Sequence, residues 1–99
     1  MHVISRKALT DFWTLHAQAR APLSAWYRIV TEAQFKDFAS VRNTFNSADV
    51  VARDFVVFNA NSFRVVTAIH YNRSKLYIRH VFTHAEYDRW STRLKKGLS

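Results

Sequence analysis

The chain has 99 residues, 48% of them hydrophobic and 15% aromatic, and carries 15 Lys and Arg against 7 Asp and Glu, for a formal net charge of +8. That length sets one domain, residues 1–99, with a single core between two layers, and the apolar content excludes a disordered tail. With no Cys and a lone Gly near the end, the sequence excludes a disulfide scaffold, a thiol nucleophile and a Gly-rich phosphate loop; with no long apolar run it predicts a cytoplasmic protein that does not enter a membrane.

His2-Val3-Ile4 is β-prone and predicts a short opening strand, after which Ser5 can cap a helix. Leu9, Phe12, Trp13 and His16 then follow the spacing of one helical face. The chain turns over Ala17 to Ala21, and Pro22 suits the first position of a second helix whose stripe is Leu23, Trp26, Tyr27 and Val30. Ser40 to Phe45 can make one or two further helical turns, ended by Asn46 and Ser47. From Asp49 the residues become β-branched and aromatic. Val50-Val51 and Phe55 to Phe58 predict strands bent at Arg53-Asp54, Asn59 to Ser62 a turn, Phe63 to Tyr71 the longest strand, and Asn72-Arg73-Ser74 a hairpin turn into Lys75 to Phe82. Thr83-His84-Ala85-Glu86 is a capping box opening a last helix with Tyr87, Trp90 and Leu94 on one face and Lys95 and Lys96 at its end. The order β-α-α-β-β-β-β-α is an α+β domain, with helices on one face of a mostly antiparallel sheet.

Arg outnumbers Lys ten to five, and Arg both forks onto phosphate and stacks on bases, so the charge points to RNA or an acidic protein partner. Strand alternation sorts the rest. Phe63, Val65, Thr67, Ile69 and Tyr71 share one side of their strand, as do Leu76, Ile78, His80 and Phe82 in the next; burying both sets leaves Arg64, His70, Lys75, Tyr77 and Arg79 on an open face. That face, with Arg73 in the adjoining turn, is a cationic floor with an aromatic, suited to an RNA backbone and a stacked base. His84 stands at a helix start, where a positive charge is disfavoured, which suits a base, and Tyr87 lies one turn on. His80 and His84 are four apart, a metal-binding spacing on a helix, but a strand and a helix start need not bring them together, so no metal site and no cofactor are expected.

The blocks Val57-Phe58-Asn59, Phe63-Arg64-Val65-Val66, Tyr77-Ile78-Arg79 and Thr83-His84-Ala85-Glu86-Tyr87-Asp88 occur in the order found in HigB-type toxins, and the opening Val3 to Leu9 and Ala25-Trp26-Tyr27 also match. The chain therefore resembles the HigB branch of the RelE-like toxins along nearly its whole length. The resemblance implies a RelE-like fold with two N-terminal helices on one face of the sheet and a C-terminal helix. It implies a toxin that cleaves mRNA in the ribosomal A site, and a helix-turn-helix antitoxin of the HigA type as partner. It places Arg64 at the scissile phosphate, His84 at the position of a catalytic His or Arg, and Tyr87 at the aromatic beside it; Arg79 and Lys75 follow mainly from the face argument. The turn Asn59-Ala60-Asn61-Ser62 departs from the family pattern by being shorter and lacking Gly.

These residues suit metal-free cleavage, in which the RNA's own 2′-hydroxyl attacks. His84 exchanges protons, Arg64 and Arg79 hold the phosphate, and Tyr87 orients the base or the leaving group. The rival reading is a non-catalytic RNA- or ribosome-binding module using the same basic face. A third is a protein-binding domain whose charge meets an acidic partner.

Overall fold

A computed structural model describes residues 1–97 of the chain. Along them run β1 (His2–Ile4), α1 (Arg6–Leu15), α2 (Arg20–Glu32), α3 (Phe38–Thr44), β2 (Asp49–Val51), β3 (Phe55–Ala60), β4 (Phe63–His70), β5 (Lys75–Thr83) and α4 (His84–Lys95). No helix among them is long and apolar enough to cross a membrane.

Helices α1 and α2 form because each carries one apolar stripe. Leu9 on α1 and Leu23, Trp26 and Val30 on α2 are buried, with Phe12, Trp13 and Tyr27 packed at the margin. Full burial of a Leu or Val side chain is worth about 1.5–3 kcal/mol, so packing rather than intrinsic propensity holds the hairpin. A 3₁₀ turn at Ala17–Ala19 leads into α2, so Pro22 is its third residue and not its first. The position is still tolerated, because the N–H groups of a first helical turn have no helical acceptor. Helix α3 begins earlier than the sequence reading placed it. Asp37 caps it by accepting from the Ser40 N–H at 2.9 Å, and the Ser40 hydroxyl accepts from the Asp37 N–H at 3.2 Å.

The strands form one sheet in the order β1-β5-β4-β3-β2, antiparallel except where β1 pairs parallel with β5. Strand β3 runs on through Ala60, which leaves a two-residue turn, Asn61-Ser62. Asn61 takes a φ of 61°, a left-handed conformation that Asn tolerates, so the hairpin closes without Gly. Asn59 is thereby a strand residue directly opposite Arg64. Strand β5, with 9 residues, is the longest; β4 has 8.

The main core lies between the sheet and helices α1 and α2. Between Val66 and Thr67 the β4–β5 ladder slips: Val66 faces His80, Thr67 faces Ile78, and Arg79 is left over. An extra residue of this kind reverses the alternation beyond it. Leu76 and Ile78 point into the main core as expected. Past Arg79 it is Val81 that does so, whereas His80 and Phe82 turn to the opposite face. The expected grouping of Leu76, Ile78, His80 and Phe82 on one side thus holds only for the first two.

Helix α4 makes use of the reversal. It does not join α1 and α2 but crosses the opposite face of the sheet. Its Trp90 rests on Phe55, His80 and Phe82 at ring separations of 5.5, 5.5 and 5.7 Å. Val57 and Val66, paired across β3 and β4 on that face, are also buried. A second, smaller apolar layer therefore sits behind the sheet, where sequence alternation left an open floor.

Candidate active site

Arg64 stands on the α4 side of β4, flanked by Asn59 on β3 and Phe82 on β5. Its Nη1 donates to the carbonyl of Phe63 at 3.2 Å and more loosely to that of Asn61 at 3.4 Å. Its Nη2 reaches Nδ1 of His84 at 3.1 Å. The same guanidinium lies 6.0 Å from the centroid of the Tyr87 ring. Two backbone carbonyls thus aim one arm of the fork and leave the other toward the start of α4.

The capping box fixes that start. The Thr83 hydroxyl accepts from the Glu86 N–H at 3.2 Å, and the Glu86 carboxylate accepts from the Thr83 N–H at 2.8 Å. This sets His84 as the first helical residue, with Tyr87 and Asp88 one turn on and on the same side. His84 Nε2 lies 3.3 Å from Asp88 Oδ2.

The chemistry of the donors fixes the imidazole's orientation. A guanidinium has only N–H donors, so Nδ1 of His84 must accept from Arg64. The proton of the neutral ring is then on Nε2, where it faces the Asp88 carboxylate. The row Arg64–His84–Asp88 places a permanent cation, a proton-exchanging ring and a carboxylate in series. Burial pushes the Tyr87 hydroxyl above its ordinary range, helped by the negative charges of Asp49 and Asp88 and opposed by Arg64. Tyr87 therefore keeps its proton at neutral pH and acts as a donor. Burial also lowers His80, with the Arg79 charge adding to the effect, so His80 favours a neutral ring. The Thr83 N–H holds the Glu86 carboxyl below the usual carboxylate range.

Of the residues singled out from sequence, the structure brings Arg64, His84 and Tyr87 together. Arg79 is not joined to them. It is the bulged residue, three positions along β5 from Phe82, and its guanidinium lies 5.2 Å over the Tyr77 ring. At about 3.3 Å per residue that is roughly 10 Å along the strand. Tyr77 in turn meets His70 edge-on at 5.2 Å, and Lys75 pairs with His70 across the ladder. Arg73 lies in the 3₁₀ turn Tyr71–Arg73 just beyond. These five form a second basic and aromatic group on the same face, at the other end of the sheet. His80 and His84 belong to different clusters, one against Phe82 and Trp90 and the other against Arg64.

Sequence reasoning passed over three residues beside Arg64. Asp88 reads as a helix-surface residue, although its i, i+4 spacing from His84 is a visible signal. Phe82 reads as buried because the bulge is invisible to alternation. Asn59 reads as part of a turn because Asn is common there.

Residues 19–90, which contain Arg64, His84, Tyr87 and Asp88, match the HigB_toxin family model, described as the RelE-like toxic component of a toxin-antitoxin system. The chain is 36% identical over 92 residues to the mRNA interferase toxin HigB of Escherichia coli (strain K12), a match covering 89% of this chain and 88% of that protein. The mRNA interferase HigB of Shigella flexneri matches to the same extent, 36% over 92 residues, again 89% of this chain and 88% of that protein. The mRNA interferase HigB of Escherichia coli O6:H1 (strain CFT073) is 25% identical over 93 residues, 90% of each chain.

Proposed function

The chain belongs to the HigB family of RelE-like toxins, the toxic component of toxin-antitoxin systems, and from that premise we propose that it is a single-domain, metal-independent endoribonuclease that cuts mRNA in the ribosomal A site. The observation that carries this reading is the 3.1 Å contact between Arg64 and Nδ1 of His84. It sets a phosphate-binding cation against a proton acceptor from a different element. A phosphate oxygen arriving at Arg64 replaces His84 as its acceptor and releases the Nδ1 lone pair beside the RNA.

The reaction needs no outside reagent. The 2′-hydroxyl gives its proton to His84 Nδ1 as its oxygen attacks the neighbouring phosphorus. The P–O5′ bond breaks, leaving a 2′,3′-cyclic phosphate on one fragment and a 5′-hydroxyl on the other. Charge gathering on the phosphate is met by Arg64, whose fork is already held by two carbonyls; such preorganised electrostatics is often the largest catalytic contribution. Tyr87, protonated, donates a hydrogen bond to the leaving oxygen, which takes a proton from water, and the hydroxide left behind is neutralised by the proton that His84 took up. Arg79, Tyr77, His70, Lys75 and Arg73 hold the strand further along the sheet. The names of the relatives, mRNA interferases, support the substrate. A HigA-type helix-turn-helix antitoxin is the partner that holds the activity in check in the cytoplasm.

The test is induced expression of wild type beside His84→Ala in a bacterial host, with growth followed and mRNA 5′ ends mapped. Growth arrest and new cuts in translated messages, both lost in the variant, are expected. Purified protein added to ribosomes carrying a message should cut the codon in the A site and spare one with deoxyribose 5′ of the cut. Healthy growth with intact messages in both strains, or efficient cutting of the deoxy substrate, refutes the proposal.

A further inference from the structure

Beside the Arg64–His84 pair, between β5 and α4, lies an open cavity of about 620 Å³ whose walls include Phe55, His80, Phe82 and Trp90. Nothing in the cleavage chemistry uses it. We propose that it is a nucleobase subsite, which takes one base of the same RNA strand whose phosphate Arg64 holds; the proposal rests on the ribonuclease reading above.

Three observations converge on a base. The first is the lining. His80 stacks on Phe82 at 4.9 Å with only 11° between the ring planes, and Trp90 leans over both. Aromatic faces at one open cleft are what a base stacks on, and the neutral ring favoured at His80 adds another such face.

The second is the distribution of charge. Arg89 and Arg93, exposed and one helical turn apart, line the cleft and make no ion pair among the described residues. Inside, Glu86 supplies a carboxylate anchored to the Thr83 N–H at 2.8 Å. A carboxylate among aromatic rings repels a phosphate but can accept from a base's amino edge. The arginines do the reverse. The cleft is therefore sorted, with the base inside and the backbone on the rim.

The third is continuity with the site. Phe82 is the cross-strand neighbour of Arg64, and the Tyr87 ring lies 5.9 Å from Trp90. A strand whose phosphate sits on Arg64 has an adjoining base within reach of the cleft.

The experiment uses the full-length protein and an uncleavable 2′-O-methyl RNA of mixed sequence containing 5-iodouridine, irradiated and mapped by mass spectrometry. The expected cross-links fall on Trp90, Phe82 or His80. In parallel, affinity is compared between the same RNA and a charge-matched oligomer lacking bases. Wild type should prefer the RNA by about 5- to 150-fold, the range that stacking of one base supplies. Trp90→Leu should lose most of that preference while keeping the salt dependence of binding. Arg93→Ser, which changes only an exposed rim residue, should flatten the salt dependence and keep the preference. Cross-links confined to the Tyr77 end of the sheet, no cross-link at all, or an undiminished base preference in Trp90→Leu overturns the subsite and leaves the cleft to a protein partner. Because the RNA cannot be cut, this outcome is separate from catalysis. Cross-links at Trp90 in a chain that cuts no RNA would overturn the ribonuclease reading instead.

Discussion

Replacing Asp88 by Ala measures what the carboxylate behind His84 contributes. The contact is 3.3 Å long, but the two side chains are 62% and 61% exposed. Water therefore screens the attraction between Asp88 and the imidazolium that forms during reaction. Exposed ion pairs of this kind contribute about 0.2–1 kcal/mol. At 1.4 kcal/mol per factor of ten, that is a fall in rate of roughly 1.4- to 5-fold. A buried carboxylate in a hydrolase triad acts very differently, its loss costing about 10⁴-fold. His84→Ala removes the proton acceptor itself and should cost about 10²–10⁴-fold. The assay is single-turnover cleavage of a fluorescent message on programmed ribosomes by purified wild type, Asp88→Ala and His84→Ala, with folding checked by circular dichroism. A loss of a hundredfold or more in Asp88→Ala, with the fold intact, would refute the reasoning from exposure. It would mean that the bound RNA seals the pair from water.

Ala52 holds a left-handed φ of 59°, which costs an L-residue about 1–2 kcal/mol. Gly relieves this and returns roughly 0.4–1 kcal/mol through its looser unfolded chain. Ala52→Gly should therefore raise the melting temperature by a few degrees, and a fall in calorimetry would contradict the assignment. Thr67 is fully buried and its hydroxyl donates to the Val56 carbonyl at 2.8 Å. Thr67→Val keeps the shape and loses the bond, at about 1 kcal/mol in urea unfolding with an unchanged slope; unaltered stability would show that the bond contributes nothing. Glu86 is held below the usual carboxylate range chiefly by the Thr83 N–H. Its contribution is therefore complete above the unfolded value of about 4.3 and is lost as pH falls through the lower folded value. Melting curves between pH 6 and pH 3 should show a shallower acid decline in Glu86→Gln, and identical declines would rule out Glu86 as a source.

The helical hairpin, the succession of strands along the chain and the capping box at Thr83 were legible, because each rests on local residue spacing. The stripe of Leu9, Leu23, Trp26 and Val30 is buried where periodicity puts it. Arg64, His84 and Tyr87, which the structure brings together, stood out because two of them lie in the first turn after a cap and the third sits in a strand among buried residues. What alternation could not show is the slip at Arg79. No residue type there announces a bulge, and the slip shows only in the pairing of β5 with β4. From that single miss follow the others: Phe82 and His80 are placed in the layer of α1 and α2, and the face that α4 covers is read as an open floor. Asp88 escaped for a different reason. A carboxylate on an exposed helical face is ordinary until its partner is known.

The extra residue in β5 has a consequence for how this chain tolerates insertions and deletions. Deleting Arg79 would remove only the extra residue, and the ladder would become regular with His80, Val81 and Phe82 still opposite Val66, Val65 and Arg64. A deletion past the bulge, at Val81, would instead move Phe82 to the position that faces the main core, and Trp90 would lose the floor on which it rests. The side of the sheet on which the last helix lands is thus written in the length of one strand past its bulge and not in its composition. A one-residue deletion past the bulge should be as disruptive as the loss of a core aromatic, whereas deletion of Arg79 itself, or almost any side chain in its place, should leave the fold in place.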